Sequence, residues 1–212
     1  MNHNLSLFLL LAFSTIAAPS EAAMVVEDCS YVTEMSLNFN PPQSHSIELF
    51  DPDLGDLVRV EVNLSVNWSE KINYCNLDDY AKEVNITSEL ALSVKLPDDS
   101  DLATNFTDLA LHNVSAYSGS DPLACAPPEG FDYQRSKLTW SSSSYTEEED
   151  LRAFTAADDA DTKLFPITTQ RGVNCDDHGN KALSILTYAD SMICVKYTYD
   201  VSPPGETTSG GF

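Results

Sequence analysis

The clearest signal along the chain is a period of two. From Leu57 to Ser69, Val58, Val60, Val62, Leu64, Val66 and Trp68 alternate with Arg59, Glu61, Asn63, Ser65, Asn67 and Ser69. Successive side chains of a strand point to opposite faces, so the first set shares a buried face and the second a solvated one. A helix would scatter both sets around its axis. The segment therefore predicts a long, half-buried antiparallel strand. Val84 to Leu96 repeats the design: Val84, Ile86, Leu90, Leu92, Val94 and Leu96 oppose Asn85, Thr87, Glu89, Ser93 and Lys95. Pro97-Asp98-Asp99 then closes it as a turn. Near the end, Ile193, Val195, Tyr197, Tyr199 and Val201 alternate with Cys194, Lys196, Thr198 and Asp200. Cys194 is thereby placed on the polar face, where it either reaches a loop or stays free.

Shorter runs predict strands at 31–38, 45–50, 106–117, 137–142, 162–169 and 181–188, with Ala189-Asp190 as a turn after the last. Thr146 to Ala160 is the stretch suited to a helix, because Glu147, Glu148, Glu149 and Asp150 complement the positive end of a helix dipole. Many short strands punctuated by turns predict an all-β fold, an antiparallel β-sandwich of jelly-roll type with one short helix at most. No internal repeat appears.

The ends change the picture of where the protein works. Leu5 to Ala18 is an apolar run followed by small residues up to Ala22 and Ala23. It is shorter than the roughly 20 residues a spanning helix needs, and it reads as a signal peptide over 1–23. One β-sandwich domain is expected over 24–201, and the Pro/Gly/Ser/Thr composition of 202–212 predicts a disordered tail. The expected location is extracellular, with no membrane span in the mature chain.

Five cysteines, Cys29, Cys75, Cys125, Cys175 and Cys194, lie beyond the signal, with no zinc-type spacing among them. In an oxidising compartment, two disulfides and one spare thiol are expected. Cys75 and Cys125 both fall in loops and are the pair to join; the remaining connectivity is open. A net charge of −22 repels nucleic acid and anionic membranes, since affinity for polyanions comes from Lys and Arg. It suits solubility, cations, neutral glycans or a basic partner.

Phe50-Asp51-Pro52-Asp53-Leu54-Gly55-Asp56-Leu57, leading at once into the first long strand, resembles the opening signature of the choice-of-anchor E domains. Leu151 to Phe154, a strand around Phe165 and the closing Val195-Lys196-Tyr197-Thr198-Tyr199 are similar to the later part of that family. The resemblance implies export over residues 31 to 201 and assigns no activity. Members of the family carry C-terminal sorting anchors; none is read up to Phe212, so the expectation is either a released soluble form or a chain that continues beyond it, and the cysteines are additional to the family pattern.

Candidate chemistry is sparse. Asp51, Asp53 and Asp56 are positioned to gather oxygens around Ca²⁺, or simply to build a turn with Pro52 and Gly55. Further acidic groups stand at Asp98, Asp99 and Asp101, at Glu147 to Asp150, at Asp158, Asp159 and Asp161, and at Asp176 and Asp177. Asn63, Asn67, Asn85, Asn105 and Asn113 head N-glycosylation sequons. Trp140, beside Ser141 to Ser144, is the aromatic placed to stack on a ligand, whereas Trp68 reads as core. No GxSxG, HExxH or P-loop is present. Of the histidines, His112 sits within a strand and His178 in a Cys175–Asn180 loop. These features point to a non-enzymatic exported module of the extracellular matrix or cell surface, needing no cofactor beyond Ca²⁺, with weak Ca²⁺ or glycan contacts. A carbohydrate-binding module is the alternative, and a glycoside-active enzyme built on an acidic pair is the third reading.

Overall fold

The computed structural model describes residues 23–37, 43–118, 129–157, 161–177 and 179–201, with Cys125 and Pro127. Residues 1–22, where a signal peptide is expected, residues 202–212, where a tail is expected, and Asp158, Asp159 and His178 lie outside the described residues. The strands are β1 (Met24–Ser36), β2 (Gln43–Glu48), β3 (Asp56–Asn76), β4 (Lys82–Lys95), β5 (Asp101–Val114), β6 (Gly130–Tyr145), β7 (Thr162–Asp176) and β8 (Lys181–Asp200). A single helical turn and a half, α1 (Glu148–Ala153), separates β6 from β7, its Leu151 buried. The strands form two four-stranded sheets, ordered β1-β8-β3-β6 and β2-β7-β4-β5. All their pairings are antiparallel. This is the strand order of a jelly roll, in which the chain crosses between sheets so that each hydrophobic face closes on the other.

The long alternating segments are β3 and β4, and their apolar sets face inward: Val60, Val62, Trp68, Ile86, Leu92 and Val94 are wholly buried. Val58 departs from the pattern. The β3–β8 register shifts between Leu57 and Arg59, and this bulge turns Val58 outward. A second departure is β8, which runs unbroken through Ala189-Asp190 where a turn was expected. Ala189 lies opposite Trp68, and its small side chain makes room for the indole. Asp190 faces out and accepts the Glu34 backbone N–H at 2.8 Å, stabilising the bulged end of β1. Neither residue needs to turn because the inward phase Thr187, Ala189, Ser191, Ile193 is continuous.

The core is two apolar clusters, one around Trp68, Leu90, Phe165 and Ile193, the other around Ile72, Tyr74, Val84 and Ile86. Between them lies a polar layer. On β3 the inward residue between the clusters is Glu70, on β4 Ser88, on β5 Asp108, on β6 Arg135 and on β8 Thr187. Thr187, Glu70 and Arg135 stand in one row across the first sheet. The Glu70 carboxylate accepts from Thr187 Oγ1 at 3.1 Å and pairs with Arg135, which also reaches across to Asp108 in the second sheet. The guanidinium lies 5.2 Å from the Phe106 ring centroid and 5.7 Å from that of Tyr133. The pair thus fastens β6 to β5 along one edge of the sandwich.

At the opposite end from this second cluster, Phe50-Leu57 makes a turn. Asp51 caps a 3-10 turn over Pro52–Leu54 by accepting the Asp53 N–H at 2.8 Å. Gly55 takes φ 148°, and a Cβ there would lie 2.2 Å from the Asp200 carbonyl oxygen. Phe50 also bonds the segment after α1, through Phe50 N to Phe154 O at 2.9 Å and Ala156 N to Phe50 O at 2.8 Å.

Two predictions follow from the buried polar groups. Arg135→Met leaves Glu70 charged and unpaired in the core and is expected to cost about 3–5 kcal/mol. The double variant E70L/R135M should be more stable than R135M alone, by urea unfolding. His45 is fully buried, with Nε2 3.0 Å from Ser191 Oγ. Burial pushes its imidazole from 6.5 down to about 4, partly offset by a backbone hydrogen bond at Ser30. The unfolded chain therefore binds this proton first, so stability is complete above about pH 6.5 and falls toward pH 4. Between pH 7 and pH 5 the loss should be about 2 kcal/mol. In urea unfolding over this range, H45Q should lack that slope.

Candidate functional site

Because β3 is central and long, its outward side chains order the outer face of the first sheet into rows. From the lower end these read Lys196–Glu61–Ser144, Cys194–Asn63–Ser142, Met192–Ser65–Trp140, Asp190–Asn67–Leu138, Tyr188–Ser69–Ser136, Leu186–Lys71–Gln134 and Ser184–Asn73–Asp132. The edge strand β1 extends the lower rows with Glu27, Cys29 and Tyr31. The first row is an ion-pair set: Glu61 binds Arg59 at 2.8 Å and Lys196 at 3.0 Å. The Lys196 hydrogen bond, with the two positive charges, holds the Glu61 carboxyl below its ordinary value.

The third row carries the exposed aromatics. Trp140 is 76% exposed and Tyr31, across Met192 and Ser65, is 68% exposed. At ~4.8 Å per strand, the two backbone positions are roughly 14 Å apart on the outward face. Leu138, Tyr188 and Leu186 continue an exposed apolar track up β6 and β8. Trp68 is the converse case, wholly buried with Nε1 donating to Thr139 Oγ1 at 2.8 Å.

The track ends in a groove of about 640 Å³. Its floor includes Lys71, Asn73, Asp132 and Ser184, and its walls include Ala182, Pro127 and the Cys75–Cys125 disulfide. That disulfide holds Cys125 against the end of β3. Cys29 and Cys194, directly opposite on β1 and β8, form the other bridge. Cys194 is therefore neither free nor tied to a loop, because the neighbouring strand presents a partner in register. Cys175 is the free thiol. It packs inward on the upper cluster, and burial first, then the Asp177 charge, raises its pKa. A half-buried thiol with a raised pKa holds little thiolate at neutral pH.

Behind the groove, three connections are knotted by charge. Lys82 Nζ lies 2.7 Å from Asp78 and 2.9 Å from Asp177. Asp177 also accepts from the Tyr74 hydroxyl and from Gly179 N–H at 3.0 Å. Burial opposes its ionisation, but Lys82, Tyr74 and Gly179 together hold the carboxyl down at about 2. Burial, then Asp177, raises the Tyr74 hydroxyl far above its usual value. Gly179 is required here, since a Cβ would fall 1.7 Å from Asp78 Oδ2. The knot is fully partnered and structural.

The other sequence candidates are dispersed. Among the described residues, the group of three metal-type donors within 4.8 Å of one another is Glu27, Cys29 and Cys194, and its two sulfurs are bonded to each other. Asp51, Asp53 and Asp56 do not form such a group. Asp98 accepts from Ser100 in its turn. Glu147, Glu148, Glu149, Asp150 and Arg152 line a cavity of about 580 Å³ with charged side chains alone. Asn63, Asn67, Asn105 and Asn113 are exposed on outward faces, while Asn85 is half-buried between β5 and β7. His112 stacks on Phe131 with centroids 3.9 Å apart, inside the upper cluster. Tyr31 and the groove floor escaped the sequence reading. The floor continues the alternation of β3 past Ser69, but its partners come from register.

No family model and no curated protein matches the chain. Solved structures of the infectious bursal disease virus particle align weakly. The Gt strain structure shares 9% identity over 94% of this chain and 47% of that one, at a TM-score of 0.12. The VP2 subviral particle shares 7% over 92% and 46%, at 0.13. The chain thus spans under half the length of those proteins, and scores this low carry no argument about it.

Proposed function

We propose that the protein is an exported, non-enzymatic β-sandwich module that contacts glycans through the outer face of its β1-β8-β3-β6 sheet. The observation that carries this reading is the Tyr31–Met192–Ser65–Trp140 row, with two mostly exposed aromatic rings on one outward face. An indole left this far in water contributes nothing to the core, and its apolar face with a polar edge suits a sugar ring. The two disulfides fit folding in an oxidising compartment. Among the described residues, no helix is long and apolar enough to cross a membrane. Among the described residues that line the groove, Asp132 is the one carboxylate, where glycoside hydrolysis uses two. The charge of −22 favours neutral or basic glycans over acidic ones.

A second reading rests on Asn63 and Asn67, exposed in the rows on either side of Trp140. Carrying N-glycans there, the module would cover this face with its own sugar and serve as a glycosylated matrix component. Intact mass before and after enzymatic deglycosylation of protein secreted from a eukaryotic host separates the two.

Binding is tested by affinity electrophoresis and thermal shift against soluble polysaccharides, each with Ca²⁺ and with EDTA. A ligand specific for the native state raises the melting point as it saturates. W140A is expected to weaken binding about tenfold or more, roughly 1.4 kcal/mol, while unfolding stability stays within about 0.5 kcal/mol. Loss of binding in EDTA alone would move the contact to the acidic loops. Unchanged binding by W140A and Y31A would remove the aromatic row from it.

A further inference from the structure

The groove at the head of the apolar track places polar side chains around a cavity. The carboxylates of Glu70, Asp78 and Asp177 are each paired with a cation of the protein. The groove floor is arranged differently. Ser184, Asn73 and Asp132 stand side by side on β8, β3 and β6. With Lys71 one row below, all four side chains line the cavity. Asn73 Oδ1 has no hydrogen-bond partner. A hydroxyl, an amide and a carboxylate at ~4.8 Å intervals, with an ammonium beside them, offer donors and acceptors on one face to a polyhydroxyl ligand. The walls are apolar, formed by Ala182 and the Cys75–Cys125 disulfide. A cavity of about 640 Å³ falls within the size of small-molecule sites, where an apolar lining with a few convergent polar groups is the usual composition.

Position adds the second argument. The exposed track leads from the Trp140 row up to Leu186 and the groove floor, eight β3 residues from Ser65 to Asn73, or roughly 26 Å. There Cys125 and Pro127 wall it, Cys125 pinned to β3 by the disulfide. An open track serves the middle of a chain, whereas a wall across it accommodates an end.

We propose that this groove binds the terminal residue of a glycan chain whose following residues lie along the apolar track. Asp132 and Asn73 accept from ring hydroxyls, Lys71 and Ser184 donate to them, and Ala182 with the disulfide packs against the ring's apolar face. The proposal rests on the glycan reading of the Trp140 row and adds the direction in which the chain lies.

The test uses the full secreted protein on an array of defined oligosaccharides, each tethered by its reducing end so that the other terminus is free. Affinities of wild type, N73A/D132A and W140A are then compared on the glycans that wild type binds. The groove substitutions are expected to reduce affinity tenfold or more on the bound glycans. Extending such a glycan by one unrelated residue at its free end should bring wild type down to the same level. W140A should lose affinity for longer chains and keep most of it for the shortest ones. Unaltered binding by N73A/D132A, or wild-type indifference to the added residue, overturns the groove and leaves the aromatic row standing. Loss in N73A/D132A with none in W140A on long chains keeps the groove and overturns the row. A wild-type protein that binds no glycan on the array overturns both.

Discussion

Everything above and below the middle of this sandwich depends on a charge pair placed where two apolar clusters meet. Glu70 and Arg135 are adjacent in register, and Arg135 continues to Asp108 in the facing sheet. Removing two such groups from water is expensive, and it is recovered only when every lone pair and proton finds a partner. Thr187 and the Phe106 and Tyr133 rings meet part of that requirement, and Arg135 Nε is left without a hydrogen-bond partner. The layer also fixes register. A strand slipped by two residues would keep its apolar face inward but would bury Glu70 against Trp68's neighbours without its cation. The polar layer thus distinguishes the native alignment from slips that hydrophobic burial alone would tolerate.

The same layer explains how much of the fold was legible in the chain. The alternation from Leu57 to Ser69 is a strand because its apolar positions are uninterrupted, and it seemed to stop because Glu70 occupies the next inward position. Ile72 and Tyr74 resume the phase beyond it. The expected β8 turn has a related cause: Ala189-Asp190 has turn-like composition, and only the cross-strand partners Trp68 and Glu34 show why each residue is there. Segment type came from period, whereas strand length came from tertiary partners that a local pattern does not contain.

For the candidate site, exposure of Trp140 follows from its small polar neighbours Ser141 to Ser144, so that residue was visible in sequence. Tyr31 was not, because β1 alternates exposed and half-buried positions without an apolar–polar alternation to mark them: Glu27, Cys29 and Tyr31 face out, and Asp28, Ser30 and Val32 are half-buried. The groove is less legible still. Lys71, Asn73, Asp132 and Ser184 come from three strands and share a floor only through the antiparallel register. The Asp51–Asp56 run shows the reverse: an acidic spacing with cation-like appearance whose first carboxylate is occupied in capping a turn.

The Cys29–Cys194 bridge joins strands that are neighbours in space and 165 residues apart in sequence. Both ends of the domain leave along this pair, Met24 lying opposite Tyr199. Tension applied between residues 24 and 200 would therefore peel only the short stretches outside the bridge before meeting a covalent link. The sandwich and its outer face would remain unloaded under pull. Sulfur, and not the sheet's hydrogen bonds, would carry the mechanical load of a module strung between neighbours.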